Sequence, residues 1–372
     1  MSSPIEPAEL AAELLGDDAE TWDLACALPR DLLVDLGKRG LLCAEVPTRY
    51  GGLGLSSEHN GELTARVGAV CSSARSVLTS QGMAAWTIQR LGSRDQRAAY
   101  LPLLTGGGLA AVGFSETGAG SDLSALTTSF TARGDSLVVD GAKVWVTAAA
   151  YADHLVIFGR YGDGAAAAVI PASAPGVTIE RVPHPLGCRA AGHANITLDA
   201  VRVPAAAVLG GGGLSLPLVV TAALSYGRMS VAWGCVGILR ACLAAVTEHA
   251  SVREQFGKPI GEHQLVAGHV AGLVAAEQIA TRVCEHASRC WDSGSPEMVT
   301  ATVLAKYVSS EQAARGAATA VQVLASAGAH DGHVVARAYR DAKLMEIIEG
   351  SSELCRLMLA RSALGPGREN KP

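Results

Sequence analysis

Two glutamates, Glu346 and Glu349, stand in the apolar stretch LMEIIEGSSELCRL at residues 344–357. Read as a helix at about 100° per residue, the stretch places Ile347 on an apolar face, Glu346 away from that face and Glu349 at its margin. Gly350 predicts a helix stop, so Glu349 would lie in the last turn, where the negative end of the helix dipole disfavours a carboxylate. A residue that breaks a local rule often serves function, which makes Glu349 a candidate general base, although many last-turn glutamates are merely solvated.

A second polar cluster, GFSETGAGSDLSAL at residues 113–126, combines four hydroxyl residues and two acids around Gly118 and Gly120. Its backbone can approach a ligand closely because two glycines lack side chains. The cluster is not a dinucleotide fingerprint, since the third glycine position is occupied by Leu123. An ordinary polar turn is the alternative interpretation.

A third group surrounds the Gly-Lys-Pro turn in residues 249–266, where Arg253, Phe256 and Gln264 carry large functional groups. A plain helix–helix connection is the alternative. The two histidines of the stretch HDGH, residues 330–333, are separated by glycine and have no third ligand at a suitable spacing, so we predict no metal site.

The composition favours a largely helical enzyme of small-molecule chemistry. The 372 residues suggest two or three domains, and 49% apolar but only 4% aromatic content with 42 glycines suits close-packed helices. A net charge of -5 offers no broad cationic surface for nucleic acid or an anionic membrane. Nine scattered cysteines without a C-x-x-C pair favour a reducing, cytoplasmic location.

Two segments bear on membranes and export. The N-terminal stretch carries Glu6 and Glu9 where an export signal would have basic residues and an unbroken apolar run. The charge-free stretch 204–227 is interrupted by four glycines and Pro217, which leaves too few continuous apolar residues to span a bilayer of about 30 Å. We therefore predict neither an export signal nor a membrane span.

The hydrophobic periodicity changes twice along the chain. Apolar residues recur at helical spacing in an N-terminal domain (1–108), at a period of two in a middle β domain (109–213), and again at helical spacing in a C-terminal domain (214–366), before a disordered tail (367–372). The predicted C-terminal helices are Leu224–Ala250, Gln264–Cys290, Met298–Ala327 and Ala336–Ile348.

These motifs, in this order, resemble the acyl-CoA dehydrogenase family over essentially the whole chain. The matching segments are VPTRYGGLGLSS, AAVGFSETGAGSD, DGAKVWVTAAAYADHLVIFGR, GRMSVAWGCVGILRACLAAVTEHASVREQFGKPIGEHQ and AVQVLASAGAHDGHVVARAYRDAKLMEIIEGSSELCR. The implied fold is mainly α with a central β domain: an N-terminal helical domain, a β-barrel-like middle domain and a C-terminal four-helix bundle, with FAD between the last two.

The resemblance also implies roles for residues. Ser115 would hydrogen-bond the flavin ring, Trp145 would flank it and Thr147 would reach its N5 region. Ser121 would contact the flavin phosphate, and Ser121 and Arg228 would contact substrate. The residues implied to hold the rest of FAD, some across a subunit interface, are Arg253, Phe256, Gln264, Gln322, Ser351 and Glu353. A homodimer or homotetramer is therefore expected.

Glu349 falls on the family's catalytic base. Some members instead place the base immediately before the arginine that corresponds to Arg228, but that position is Gly227 here. By the family's chemistry, Glu349 would remove the α-proton of an acyl thioester while a hydride passes to flavin N5. An apolar pocket and the helix end would raise the proton affinity of this carboxylate.

Departures from the family pattern concern the acyl carrier. Ala325-Ser326 replaces a common Gly-Gly, Ser351 replaces threonine, and Ser225 stands where some relatives have an acidic residue that helps to bind coenzyme A. The carrier is then coenzyme A or an acyl carrier protein. The second case resembles the branch of polyketide extender-unit pathways that makes hydroxymalonyl or methoxymalonyl units, in which an aldehyde-level group would be oxidised to a carboxylate.

Two other functions remain open at this stage: a flavin monooxygenase on the same fold, and a helical interaction protein without cofactor. Joint retention of Ser115, Trp145, Thr147, Arg253 and Glu349 argues against the second. For the dehydrogenase, an electron-transfer flavoprotein is a candidate electron acceptor.

Overall fold

The fold is mainly α with a central β domain, as predicted. The computed structural model describes residues 6–365, so the predicted disordered tail lies outside the described residues. The helices are α1 (Pro7–Leu15), α2 (Ala19–Ala25), α3 (Arg30–Lys38), α4 (Ser57–Val70), α5 (Ser72–Leu91), α6 (Arg94–Thr105), α7 (Leu216–Val252), α8 (Gln264–Asp292), α9 (Met298–Leu324), α10 (Val334–Met345) and α11 (Ser352–Leu364). The strands are β1 (Ala110–Gly113), β2 (Ser129–Arg133), β3 (Ser136–Val146), β4 (His154–Tyr161), β5 (Gly164–Pro171), β6 (Val177–Arg181), β7 (Ala194–Pro204), β8 (Glu254–Gln255) and β9 (Lys258–Pro259).

By the density of their internal contacts, the residues form two compact units. Among the described residues, unit one comprises 6–55 and Ser73–Gly227, and unit two comprises Ser56–Ser72 and 228–365. The boundary therefore falls within α7, and α4 belongs to unit two although it lies early in the sequence. The division into 1–108, 109–213 and 214–366 stays a prediction.

Unit one contains a seven-stranded sheet in the order β1-β4-β2-β3-β7-β6, with β5 paired to β4. Alternate residues of β3, such as Leu137 and Val139, point into a shared apolar core with Ile196 of β7. Burial largely alternates along the long strands β3 and β7, as the predicted period of two requires, whereas β4 and β5 are buried on both faces along most of their length. The periodicity did not reveal the short strands β1 and β2, which join the sheet through pairing with β4 and contain few residues to carry a pattern.

Unit two is helical and its core surrounds Trp233 of α7, which is fully buried. The indole N–H donates to the Ser288 hydroxyl on α8 at 3.1 Å. A Cβ at Gly61 of α4 would come within 2.2 Å of the indole nitrogen, so only glycine permits this helix contact. On the margin of the core, Arg240 donates to the carboxylates of Glu62 and Glu277, which links α7, α4 and α8.

Helix α7 starts eight residues before the predicted Leu224, at Leu216. Pro217 lies in its first turn, where the missing N–H has no helical partner to lose. The helix is long enough to span a membrane, and an 18-residue window has a mean hydropathy of 1.8, but 72% of that window is buried within the protein. This burial is typical of the core helix of a globular domain.

Candidate active site

Trp145 of β3 presents an aromatic face on unit one. Its backbone is left-handed, with φ of 56°, and the β3–β7 register shifts between Lys143 and Val146. The Trp145 N–H donates instead to the Asn195 side chain at 3.1 Å. Such a bulge re-aims a side chain, and the indole is left 54% exposed. A large exposed aromatic ring of this kind suits a planar ligand.

Thr147 lies directly after β3 and is joined to Trp145 through His193. The Thr147 hydroxyl lies 3.3 Å from Nδ1 of His193, and the His193 ring centroid lies 6.0 Å from that of Trp145. The Thr147 carbonyl accepts a hydrogen bond from the Ser80 hydroxyl at 3.1 Å. Two residues that the family resemblance singled out are therefore close together in unit one.

The polar segment 113–126 is anchored to the same strand. The Val144 N–H donates to the Ser115 carbonyl at 2.9 Å, and the Lys143 ammonium donates to the Phe114 carbonyl at 3.0 Å. Ser121 is exposed. A Cβ at Gly118 or Gly120 would meet nothing within 4 Å, so the space beside this turn is open to a ligand.

A buried ion pair holds this segment in place. The Lys143 ammonium donates to the Glu116 carboxylate at 2.8 Å, with the two side chains 0% and 6% exposed. The same carboxylate accepts from the Thr127 N–H and hydroxyl and from the Thr128 N–H. Burial alone would raise the pKa of Glu116, but these hydrogen bonds outweigh it and lower the pKa to about 2. Burial lowers the pKa of Lys143 to about 8, against the opposing effect of Glu116.

Glu349 lies in unit two, in the loop between α10 and α11. Its φ is 56° and that of Gly350 is 95°, so two successive residues turn the chain in the left-handed region. A glutamate there is strained, which is common at functional sites. The loop then enters α11, where the Ser351 hydroxyl caps the helix by accepting from the Leu354 N–H, as the predicted helix start after Gly350 requires.

The expectation that Glu349 occupies the last turn of a helix was wrong. Helix α10 ends at Met345, which is fully buried, and Ile347 is 55% exposed. The predicted helix does not continue beyond Met345. Because the chain leaves the helix there, the apolar residues that follow no longer lie on one helix face. Glu346 lies at the helix end and its carboxylate pairs with the exposed Lys343 at 2.9 Å.

Two buried cations hold the loop of Glu349. The Lys306 ammonium of α9, which is fully buried, donates to the Gly350 carbonyl at 2.6 Å and to the Glu346 carbonyl at 3.3 Å. The Arg228 guanidinium, 3% exposed, donates to the Glu349 carbonyl at 3.1 Å. Burial lowers the pKa of both cations, and the negative charge of Glu349 opposes that effect. Glu349 thus has charged neighbours and not the purely apolar surroundings expected from its sequence.

Four other predicted residues are exposed. Arg253, Phe256 and Gln264 surround the β8–β9 hairpin, where Phe256 is 95% exposed, whereas Gln322 lies on α9. The exposed Glu353 lies in the first turn of α11, and hydrogen bonds from its own backbone N–H and from Ser351 lower its pKa. The position of Glu353 at a helix N-terminus is sufficient to explain why its charge is favoured. The predicted contact of Glu353 with the cofactor therefore stays a prediction.

The residues HDGH behave as a helix start. The Arg340 guanidinium donates to the Asp331 carboxylate at 3.0 Å, and His333 caps α10 by accepting from the Val335 N–H. Elsewhere among residues 6–365, His286, Cys290 and Glu297 bring possible ligand atoms within 4.8 Å of one another. Two of the three side chains are exposed, and such groups commonly occur without an ion.

Sequence reasoning missed Lys143, Lys306 and His193. Lys143 follows Leu137 and Val139 on the core-facing side of β3, and Lys306 occupies a core-facing position of α9 between Val303 and Ser310. A lysine at a core position of an apolar pattern is therefore a usable signal. No comparable pattern singles out His193, because its role depends on a contact with Thr147, which lies 46 residues earlier in the sequence.

Comparison with known families covers nearly all of the described residues. Residues 6–108 match the model of the acyl-CoA dehydrogenase N-terminal domain, residues 111–201 that of the middle domain and residues 217–364 that of the C-terminal domain.

Individual relatives agree with these matches. A probable acyl-CoA dehydrogenase of Bacillus subtilis, YngJ, is 32% identical over 96% of this chain and 95% of its own length. The structure of FkbI, described as acting in biosynthesis of the methoxymalonyl extender unit of the Fk520 polyketide, is 66% identical with a TM-score of 0.93, covering 96% of this chain and 99% of that one. A glutaryl-CoA dehydrogenase structure from Mycobacterium smegmatis is 28% identical, with a TM-score of 0.92 and coverages of 98% and 95%.

The buried pair in unit one leads to a stability prediction. Glu116→Gln leaves the Lys143 ammonium buried without a counter-charge, and we expect a loss of about 3 kcal/mol in the free energy of unfolding, measured by urea denaturation. Because the folded-state pKa of Glu116 is about 2, below its ordinary 4.5, the contribution is complete above the higher value and is lost as the pH falls through this interval. The exposed Glu180→Gln is the control, and equal stability of the two variants would contradict the prediction.

The contact of Lys306 with the loop that carries Glu349 leads to a second prediction. Lys306→Met removes the charged donor to the Gly350 and Glu346 carbonyls, and we expect about 1–3 kcal/mol lower stability because two charge-assisted hydrogen bonds are lost. Lys343→Met is the matched control, since Lys343 is exposed and pairs only at the surface. Unchanged urea midpoints for Lys306→Met would show that the loop does not depend on this contact.

Proposed function

This chain belongs to the acyl-CoA dehydrogenase family and is a flavoenzyme of that type, and we propose that it oxidises a short oxygenated acyl group carried as a thioester on an acyl carrier protein. The observation that carries the proposal is the 66% identity, over nearly the whole chain, to a protein described as acting in methoxymalonyl extender-unit biosynthesis. Glu349 is the proposed catalytic base.

The residues of unit one fit FAD. The exposed indole of Trp145 offers a flat face, and Thr147 and Ser115 offer hydroxyl groups on segments attached to the same strand. The open space beside Gly118 and Gly120 suits the phosphate near Ser121. When bound, FAD supplies a hydride acceptor at its N5 position. The proposed cofactor contacts of Arg253, Phe256, Gln264, Gln322, Ser351 and Glu353 rest on the family resemblance.

Glu349 would take the proton that the substrate loses. For a saturated acyl group, its carboxylate accepts the α-proton while the β-carbon gives up a hydride, and the electrons of the α-C–H bond form the new double bond. For a hydrated aldehyde, the carboxylate accepts a hydroxyl proton while the carbon loses its hydride, and a carboxylic acid results. In both cases Arg228 and Lys306 hold the backbone of the loop that carries Glu349.

Ser225 supports a carrier-protein substrate. It is buried, and its hydroxyl donates to the Thr221 carbonyl at 2.8 Å. This position therefore offers neither the acidic group nor the accessible polar group that helps to bind coenzyme A in some relatives. Carriage of the acyl group by a protein would remove the need for a coenzyme A nucleotide contact.

A homodimer or homotetramer is part of the proposal. Val252, Phe256 and Leu265 are 72%, 95% and 86% exposed around the β8–β9 hairpin, beside a groove of about 550 Å³ lined mostly by small and apolar residues such as Ala250 and Val270. Exposed apolar clusters of this kind mark interaction surfaces.

An electron-transfer flavoprotein is the proposed electron acceptor. A cytoplasmic location agrees with the nine cysteines, all of which are described and are free thiols.

The role of Glu349 is tested by Glu349→Gln. We expect this variant to retain FAD but to lose substrate-driven flavin reduction by a factor of about 10² to 10⁴, because the acyl proton has no acceptor. Anaerobic stopped-flow absorbance measures the reduction. Glu346→Gln is the matched control, since Glu346 pairs with an exposed lysine, and we expect it to react like the wild type. Wild-type rates in Glu349→Gln would refute the assignment.

The carrier is tested with the wild-type protein. The same short acyl groups, attached to acyl carrier protein or to coenzyme A, are mixed anaerobically with the enzyme and flavin bleaching is followed. We expect at least a 10-fold higher kcat/KM with the carrier protein, equivalent to about 1.4 kcal/mol of additional transition-state binding. Equal or better reduction by the coenzyme A forms would remove the carrier-protein proposal and leave the dehydrogenase activity. Substrate-coupled oxygen consumption with a hydroxylated product would favour a monooxygenase instead.

A further inference from the structure

His193 contacts two of the residues proposed to face the flavin in unit one, Trp145 and Thr147. It precedes β7, and its backbone carbonyl accepts from the Val182 N–H at 2.9 Å, which fixes the position of the chain. Its ring is tilted by 56° against the Trp145 indole, and its Nδ1 lies 3.3 Å from the Thr147 hydroxyl oxygen.

The imidazole of His193 is neutral at neutral pH. Burial lowers its pKa to about 4, and the positive charge of Arg75 acts in the same direction. A neutral imidazole carries one N–H group and one bare nitrogen, and its hydrogen-bond partners decide which nitrogen carries the proton.

The surroundings of Nε2 favour a proton on Nδ1. Nε2 is buried, and no hydrogen-bond partner for it exists among residues 6–365. A buried N–H without an acceptor is rarer in folded proteins than an acceptor with unused capacity. The tautomer with the proton on Nδ1 avoids such an orphaned donor, and Nδ1 then donates to the Thr147 hydroxyl oxygen.

This direction of donation controls the Thr147 hydroxyl. A hydroxyl group has one hydrogen and two lone pairs. If Thr147 donated to His193, its only hydrogen would point into the protein. Because the hydroxyl oxygen accepts from His193 instead, its hydrogen is free to donate elsewhere.

We propose that His193 is a positioning residue that turns the hydroxyl hydrogen of Thr147 toward the bound flavin. This inference rests on the proposed function, in which Thr147 reaches the reacting region of FAD. His193 itself touches neither the substrate nor the reacting atoms. It acts by keeping Thr147 as a donor throughout the reaction.

The tautomer is tested without substrate or turnover. In protein labelled with ¹⁵N at histidine, the His193 ring signals identify the protonated nitrogen, and His193→Phe assigns them. We expect Nδ1 to be protonated, and we expect Thr147→Val to change the Nδ1 shift more than the Nε2 shift. A proton on Nε2 would overturn the proposal whatever the enzyme turns over.

The effect on the flavin is tested with two substitutions of different chemistry. His193→Phe keeps a ring but removes the donor, and His193→Asn keeps an N–H near the position of Nδ1. We expect His193→Phe to slow anaerobic flavin reduction about 10-fold and to shift the midpoint potential of bound FAD, with FAD content unchanged, because one hydrogen bond of typical strength is lost. His193→Asn should restore most of the rate.

Two comparisons separate positioning from general damage. In a Thr147→Val background, His193→Phe should have no further effect on rate or potential, and an unchanged 10-fold loss there would refute the link through Thr147. His154→Phe, which alters another partly buried histidine of unit one, should leave the potential unchanged. If the wild type binds FAD but no acyl thioester reduces it, the proposed function fails, while the potential and the tautomer still decide the role of His193.

Discussion

A buried ammonium group must be surrounded by oxygen atoms, and each unit contains one beside a segment that carries candidate functional residues. In unit one, Lys143 is enclosed by the Glu116 carboxylate and the Phe114 carbonyl. In unit two, Lys306 is enclosed by the Gly350 and Glu346 carbonyls. Removing such a charge from water costs several kcal/mol unless good partners replace the water. Each lysine therefore dictates where its loop runs, and the loops carry Ser115 and Glu349.

Lys143 and Lys306 stabilise different kinds of segment. Lys143 ties the polar segment 113–126 to β3, the strand whose register shifts at Trp145, so the segment with the hydroxyl groups is attached to the strand that carries the indole. Lys306 binds carbonyls at and beyond the end of α10, where helical partners are missing. That support permits Glu349 to keep a left-handed backbone that a glutamate would otherwise rarely adopt.

Charge and hydrogen-bond direction complete this arrangement. Arg228, which stands beside the alternative base position of the family, donates to the Glu349 carbonyl, so it holds the loop of the proposed base in addition to its proposed contact with substrate. In unit one, the neutral His193 decides how Thr147 uses its single hydroxyl hydrogen. The groups proposed to react are few, and most of the polar residues around them serve to hold backbone or protons in one arrangement.

The sequence by itself determined the order of helical and β segments and the family, and it singled out Glu349 as the candidate base, because periodicity and motifs are properties of neighbouring residues. It did not determine where α10 ends, since Ile347 and Ile348 continue the apolar pattern after the chain has left the helix. Only the tertiary structure decided the positive φ of Glu349 and the carbonyls around Lys306, because these depend on segments 40 and 44 residues apart. The same holds for the contact of His193 with Thr147, which lie 46 residues apart in the sequence and meet because β3 pairs with β7.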